Sequence, residues 1–339
     1  MQAQSTDDDT RQAPTYFDLA LERRQLLEDH PPNFQHPYKR MLYQLSDLPA
    51  RLDASPLRLA RYRRARGIAA NADHRAAVRV RPGFYDYAVA PEHGAGRLDW
   101  HVNFADGDLF FAYGSSLFAQ DEMQVAEHPL LGSVREYLFE RSFKDSDYDP
   151  CTRDDDNRPS PVLIRGVERC LHIDTAPDAS RGRPEGLYGN RFALAGEAAI
   201  RAATRVIDPP TLTNLIAMEA PKPGRGRYQP ATIADILETA YTAFGAAVSL
   251  GGGACATVIH TGNWGCGAYG GNRTLMLAAQ LLMADWAGAA EVLLYDAKES
   301  ALAAALALRD RMQRERMSFQ AAVAFLAEQG FDWGVSDGN

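Results

Sequence analysis

The sequence predicts an α/β protein whose sheet is parallel in at least its later half, on two observations. Apolar, strand-like runs alternate with helical patterns through the second half of the chain, and one strand-to-helix junction carries five glycines between Gly262 and Gly271. Strands separated by helices are joined by crossovers, and crossovers bring strands together in parallel. With 339 residues, 46% of them apolar, the chain has ample material for one large core. Its net charge of −8 argues against a nucleic-acid binder held by a basic surface, while leaving room for a small anion in a pocket of local donors.

Cys151, Cys170, Cys255 and Cys266 are scattered without C-x-x-C spacing. Neither a zinc site nor a disulfide framework is expected, and a reducing, cytoplasmic setting is. The start of the chain carries Asp7-Asp8-Asp9 in place of a basic and then apolar leader, and no run of about 18 apolar residues occurs, so neither a signal peptide nor a membrane span is expected.

Taken in order, residues 1–14 are polar and expected to be disordered. Three segments between Phe17 and Asp73 carry helical periodicity, broken at Pro31-Pro32 and near Ser55-Pro56, and define an expected helical accessory region over 15–95. The third holds Arg58, Arg61, Arg63, Arg64 and Arg66, a solvated helix face or a face for an anionic polymer. Extended runs follow at 77–80, 84–89 and 98–105, then a helix over 131–143 and a loop over 144–161, dense in Asp, Arg and Pro and expected to be exposed. Strands are expected at 162–173 and 211–219, where apolar residues dominate. Ile233, Ile236, Leu237, Ala240, Tyr241 and Phe244 mark an amphipathic helix, and Gly251-Gly252-Gly253 reads as its stop. A buried strand over 254–260, the glycine-rich junction, a helix through Leu275, Ala278, Leu282 and Trp286, a strand over 291–295 and two alanine-rich helices complete the chain.

A glycine-rich turn between strand and helix lets backbone N–H groups approach an anion, and the helix N-terminus adds partial positive charge. A diphosphate is the ligand such a junction suits; the alternative is a tight turn that needs several left-handed residues. The spacing Gly265-x-Gly267-x-x-Gly270, with Asp296 ending the next strand, also fits a dinucleotide-binding fingerprint, and a nicotinamide-dependent oxidoreductase is a further reading. Against it, a doubly wound domain needs more strand-helix units than the two helices that follow Asp296.

The segment Thr261-Gly-Asn-Trp-Gly-Cys-Gly-Ala-Tyr-Gly-Gly271 resembles the Thr-Gly-Asn-Trp-Gly-Cys-Gly-Ala-Phe-Gly-Gly segment of the poly(ADP-ribose) glycohydrolases. A second stretch agrees: Val102-Asn-Phe-Ala-Asp106 and, further on, Gln120-Asp121-Glu122 are similar to that family's Val-Asp-Phe-Ala-Asn and Gln-Glu-Glu. Weaker similarity covers Gly186-Leu-Tyr188-Gly189 and Ala217-Met-Glu-Ala220, so that the resemblance spans roughly 98–300. It implies a macrodomain-like three-layer α/β/α fold with a mixed sheet over 96–330, and hydrolysis of ADP-ribosyl O-glycosidic bonds with no cofactor or metal. By the same resemblance Glu122 is the general acid/base and Asp121 orients a ribose hydroxyl. Asp106 and Gln120 contact the ligand, Tyr188 stacks on adenine, and Gly262, Asn263, Gly265, Cys266, Gly267, Ala268, Tyr269 and Gly270 cradle the diphosphate. The implied partner is ADP-ribose, or a protein or polymer that carries it.

Two departures bear on that chemistry. Phe110, Phe111 and Ala112 stand where the family has three consecutive glycines, and Asp106 stands where it has Asn. Bulky residues cannot follow a path that needs glycine, so this loop is expected to be rebuilt, with two phenyl rings able to fill the space of the terminal ribose. A non-catalytic ADP-ribose reader is therefore the rival reading. Cleaving a ribosyl bond needs an acid for the leaving oxygen and a base for water, roles that one carboxyl can fill in turn. If Asp106, Asp121 and Glu122 converge, mutual repulsion raises at least one of their pKa values; the alternative is an acidic first turn of a surface helix. Asn263 and Asn272 suit a conformational role in glycine turns, Trp264 suits packing, and His101 and His260 suit buried hydrogen bonds.

Overall fold

The apolar runs read from the sequence become one eight-stranded sheet in this computed structural model, which describes residues 14–87 and 96–338. In chain order the strands are β1 (Thr15–Leu21), β2 (Leu57–Tyr62), β3 (Ala77–Arg81), β4 (Arg97–Ala105), β5 (Val162–Ile173), β6 (Thr204–Glu219), β7 (Ala256–Thr261) and β8 (Glu291–Tyr295). In space they run β1-β2-β5-β6-β4-β7-β8-β3. The first four of these pair antiparallel. From β6 onward, through β4, β7, β8 and β3, every pairing is parallel. The helices are α1 (Arg23–Asp29), α2 (Pro37–Ser46), α3 (Gln120–Glu127), α4 (Leu130–Ser142), α5 (Arg191–Leu194), α6 (Glu197–Ala203), α7 (Pro230–Ser249), α8 (Arg273–Ala287), α9 (Glu299–Arg314) and α10 (Phe319–Glu328).

Alternation along the central strands builds the three layers. Trp100, Val102, Leu163, Ile216 and Met218 pack with Ile236, Phe244, Leu282 and Leu326 of α7, α8 and α10. Their neighbours Ile164, Leu215 and Ala217 pack with Leu26, Leu42, Val125 and Leu131 of α1 to α4. Successive side chains point to opposite faces of a sheet, and strands apolar on both faces need helices on both.

The region 15–95 departs from its expected helical character. It holds α1 and α2, but β1 and β2 form there as well and, together with β3 where an extended run was expected at 77–80, join the same sheet as the later strands. The run expected as a basic helix is β2: Leu57 and Leu59 are fully buried on one face, and Arg58 to Arg61 pair with Val162 to Arg165 of β5. Arg61 turns inward and donates to Ser160 Oγ at 3.1 Å and to Arg153 O at 2.9 Å. The extended run expected at 84–89 forms no strand as far as 87; its end, like the tail expected at 1–14 except for Pro14, lies outside the described residues.

The loop over 144–161 is also less exposed than its composition predicts. Thr152, Arg153 and Ser160 are buried, and Arg153 pairs with Glu219 at 2.9 Å and Asp235 at 2.7 Å. A guanidinium is tolerated inside because two carboxylates meet it there.

Candidate active site

β4 and β7 are neighbours in the sheet although remote in sequence, so the segments leaving their carboxyl ends are neighbours too. A cavity of about 640 Å³ opens beyond the ends of β4, β7 and β8. Crevices at the carboxyl ends of parallel strands are where such sheets bind ligands, and this volume is that of a small-molecule site. One wall comes from the 106–119 loop and the start of α3, the other from the 262–272 loop and the start of α8.

The acidic wall is anchored from below by β4. Gln120 grips the free edge of that strand, accepting from Phe104 N at 2.8 Å and donating to Val102 O at 3.0 Å, beyond the point where β7 stops pairing. Asn103, on the face of β4 turned toward α3, donates to Asp121 Oδ1 at 2.9 Å and to Gln124 Oε1 at 2.8 Å. Glu122 accepts the Ala119 N–H at 2.9 Å and so satisfies one of the helix's orphan donors. Both carboxyls line the cavity yet are almost fully buried. Burial first, and then the neighbouring charge of Glu122, pushes Asp121 up to about 8. Burial also raises Glu122, with a nearby lysine, Lys39, pulling the other way. Asp121 and Glu122 are both raised, as repulsion between them would have it, but desolvation leads.

The two phenylalanines, able on sequence grounds to fill the ribose space, do not plug the cavity. Phe110 adopts the left-handed torsion that glycine would supply, φ 57°, and turns its ring wholly into the core below. Phe111 is 67% exposed and stands on the cavity wall with the Arg135 guanidinium 5.7 Å from its ring centroid. The rebuilt loop thus keeps a glycine-like turn at one position, and the cavity stays open.

Gly265 shows why the opposite wall needs its glycines. Its φ is +70°, and a Cβ there would come within 2.5 Å of Ala220 Cβ. Gly262, Asn263, Gly265, Cys266, Gly267, Ala268 and Tyr269 line the cavity; Gly270 does not, because the backbone of 334–336 covers it. The Asn263 side chain donates to Asp296 O at 3.0 Å, and Asn272 caps α8 by accepting from Leu275 N at 3.2 Å, both conformational roles. Trp264 packs, fully buried, with its indole N–H on Met218 O at 3.1 Å. Burial pushes the Cys266 thiol up to about 12, which leaves it no nucleophile near neutral pH.

The two walls touch where Tyr269 donates to Asp106 Oδ2 at 2.8 Å. Tyr188 lies further along the cavity with Phe84 stacked on it, ring centroids 5.5 Å apart. His260 bonds Asp99 at 2.6 Å as expected of a buried histidine, whereas His101 stacks on its ring at 4.0 Å, and burial holds His101 neutral.

Sequence reasoning missed four charged residues here. Arg273, the first residue of α8, lines the cavity beside the glycine loop and was legible as a cation at a helix start. Arg153 and Lys39 left no local signal, since their partners come from other elements. Asp337 is the fourth: Gly334 N donates to Gly270 O at 2.7 Å and Asp337 N to Gly267 O at 3.3 Å, which lays a carboxylate along the glycine loop.

Residues 175–304 match the family model described as poly(ADP-ribose) glycohydrolase, macro domain fold. Among solved structures the chain is similar to a poly(ADP-ribose) glycohydrolase from Thermomonospora curvata, at 17% identity and a TM-score of 0.45, over 85% of this chain and 98% of that one. It is also similar to one from Deinococcus radiodurans in complex with ADP-ribose, at 13% identity and a TM-score of 0.40, over 88% and 95%. No curated protein matches the sequence.

Proposed function

We propose that this chain, whose residues 175–304 match the poly(ADP-ribose) glycohydrolase family model, hydrolyses ADP-ribosyl O-glycosidic bonds. The observation that carries the reading is the meeting of two remote segments at one cavity, acid groups on one side and a glycine loop before a helix on the other. The diphosphate lies along the 262–269 loop, where backbone N–H groups, the start of α8 and Arg273 supply positive charge. Adenine stacks on Tyr188, and the ribose that carries the scissile bond faces Asp121 and Glu122.

Burial raises the Glu122 carboxyl above its ordinary value, which favours the protonated form that a general acid needs. Glu122 gives its proton to the oxygen leaving C1 as the C1–O bond breaks and an oxocarbenium-like centre forms. Water then attacks C1 and returns its proton to the Glu122 carboxylate, so the residue ends as it began. Asp121, held by Asn103, fixes the ribose beside it.

Release of ADP-ribose from an ADP-ribosylated protein, measured beside calorimetric binding of free ADP-ribose, tests the proposal. Wild type binds and releases; Glu122→Gln binds with little change and loses release by about 100-fold or more. Phe111 on the sugar side of the wall favours a second reading, an ADP-ribose reader. Binding by wild type with no release would establish that reading instead.

A further inference from the structure

Lys39 sits in α2, outside the cavity wall, and the chemistry above makes no use of it. Its side chain is fully buried; its ammonium donates to Tyr113 O at 2.8 Å and lies 5.3 and 5.8 Å from the ring centroids of Phe118 and Phe192. Tyr113 and Phe118 belong to the 106–119 loop, and the next residue after Phe118, Ala119, is the one whose N–H holds Glu122. A carbonyl and two ring faces carry no formal charge. A lysine taken wholly out of water persists when an anion compensates it.

Burial pushes Lys39 down to about 8, and Glu122 and then Asp121 on α3 pull the other way; the attraction is mutual, since the ammonium favours both carboxyls in their ionised form. The other charged and titratable groups around it do not do this work. Arg40, next on α2, directs its guanidinium to Gln35 O at 2.6 Å, and His36 is disfavoured as a cation by its own burial and by Lys39. Asp106, across the loop, acts on the pair with the opposite sign and raises both carboxyls.

We infer that Lys39 is a positioning residue of this site: its ammonium pins the 106–119 loop through Tyr113 O and is the countercharge to the carboxylate that Glu122 becomes on giving up its proton. The inference rests on the glycohydrolase reading for its catalytic consequence. A countercharge in a buried site stabilises charge as it develops, with no reorganisation needed at that moment. It also explains how a residue of the region 15–95 reaches the chemistry without touching substrate.

The test is the pH profile of ADP-ribose release by wild type, Lys39→Met and Lys39→Arg, together with ADP-ribose affinity and the dependence of Tm on pH. Without the countercharge, Glu122 holds its proton more tightly: Lys39→Met moves the alkaline limb up by about one pH unit and lowers the maximal rate about tenfold, with affinity little changed. Lys39→Arg keeps the charge and returns the limb to its wild-type position. An unmoved limb in folded Lys39→Met, or an Arg variant that behaves like Met, would overturn the inference. Should Lys39→Met not fold, the limb of Lys39→Arg is compared with wild type, and the Lys39 ammonium is followed by NMR in wild type and Glu122→Gln. Its titration midpoint drops when the neighbouring charge is removed, and an unchanged midpoint would overturn the inference. If wild type releases no ADP-ribose, the proposed function is what fails, and the countercharge is read from Tm alone: its fall with pH extends to higher pH in Lys39→Met, whereas parallel curves would exclude it.

Discussion

Phe110 carries both the strain and the solution of the rebuilt loop. A left-handed torsion costs a bulky L-residue about 1–2 kcal/mol, while a phenyl ring buried in the core is worth about 3–5 kcal/mol against its removal. Burial wins, so Phe110→Gly, although it restores the residue type the torsion prefers, is expected to lower stability by roughly 2 kcal/mol in chemical denaturation. The sequence located the departure and left open whether the rings fill the ribose space, because residue type does not say which way a ring turns. The glycine loop was legible from its spacing between strand and helix, whereas Glu122 and Asp121 were named only through the family resemblance of a contiguous stretch. Lys39 was not, since its partners come from α3 and from a loop more than seventy residues on.

Asp121 gives the same site a pH signature. Its pKa lies above the ordinary carboxylate value in the folded protein, so the folded state holds the proton more tightly and the associated stability is complete below about pH 4. That stability is lost as pH rises toward about 8. Wild-type Tm is therefore expected to fall across this window relative to Asp121→Asn, whose side chain has no proton to lose; parallel curves would contradict the buried, raised carboxyl.

Among the elements, β2 and the 144–161 loop show how local pattern misleads. In Leu57-Arg-Leu59 the strand alternation is present, but the arginines that follow blur it into a basic helical face. Pairing with β5 decides the outcome, as tertiary context does for β-structure generally. The loop reads as solvent-exposed until Arg153 is seen to carry it inward onto Glu219 and Asp235. Removing one partner of a buried pair leaves the other uncompensated, so Arg153→Met is expected to destabilise by about 3–5 kcal/mol, visible as a large drop in Tm. The segment that follows α10 makes a milder case. The Asp337 carboxylate lies along the loop proposed for the diphosphate, and Asp337→Asn is expected to tighten ADP-ribose binding about threefold, within the roughly 0.2–1 kcal/mol of a solvent-screened charge pair. Weaker binding in that variant would place the diphosphate elsewhere.

For the molecule as a whole, the parallel half of the sheet was readable from alternating strands and helices, whereas the antiparallel half was not, because its outer strands come from the region expected to be helical. One consequence separates a dispensable appendage from a structural part. Deleting residues 1–62 removes β1 and β2, bares the edge of β5 and uncovers the apolar face that α1 and α2 protect. Such a truncation is expected to aggregate rather than fold, since a long unpaired edge recruits other strands; a soluble, ADP-ribose-binding product would show the region to be an accessory after all.

The adjacency of β4 and β7 is what turns two distant stretches of sequence into one cleft. A crystal structure with ADP-ribose bound tests this most directly. The expected complex has the diphosphate on the backbone of 262–269, adenine against Tyr188 and the distal ribose beside Glu122. A ligand seated away from the glycine loop, or one whose distal ribose points away from α3, would contradict it.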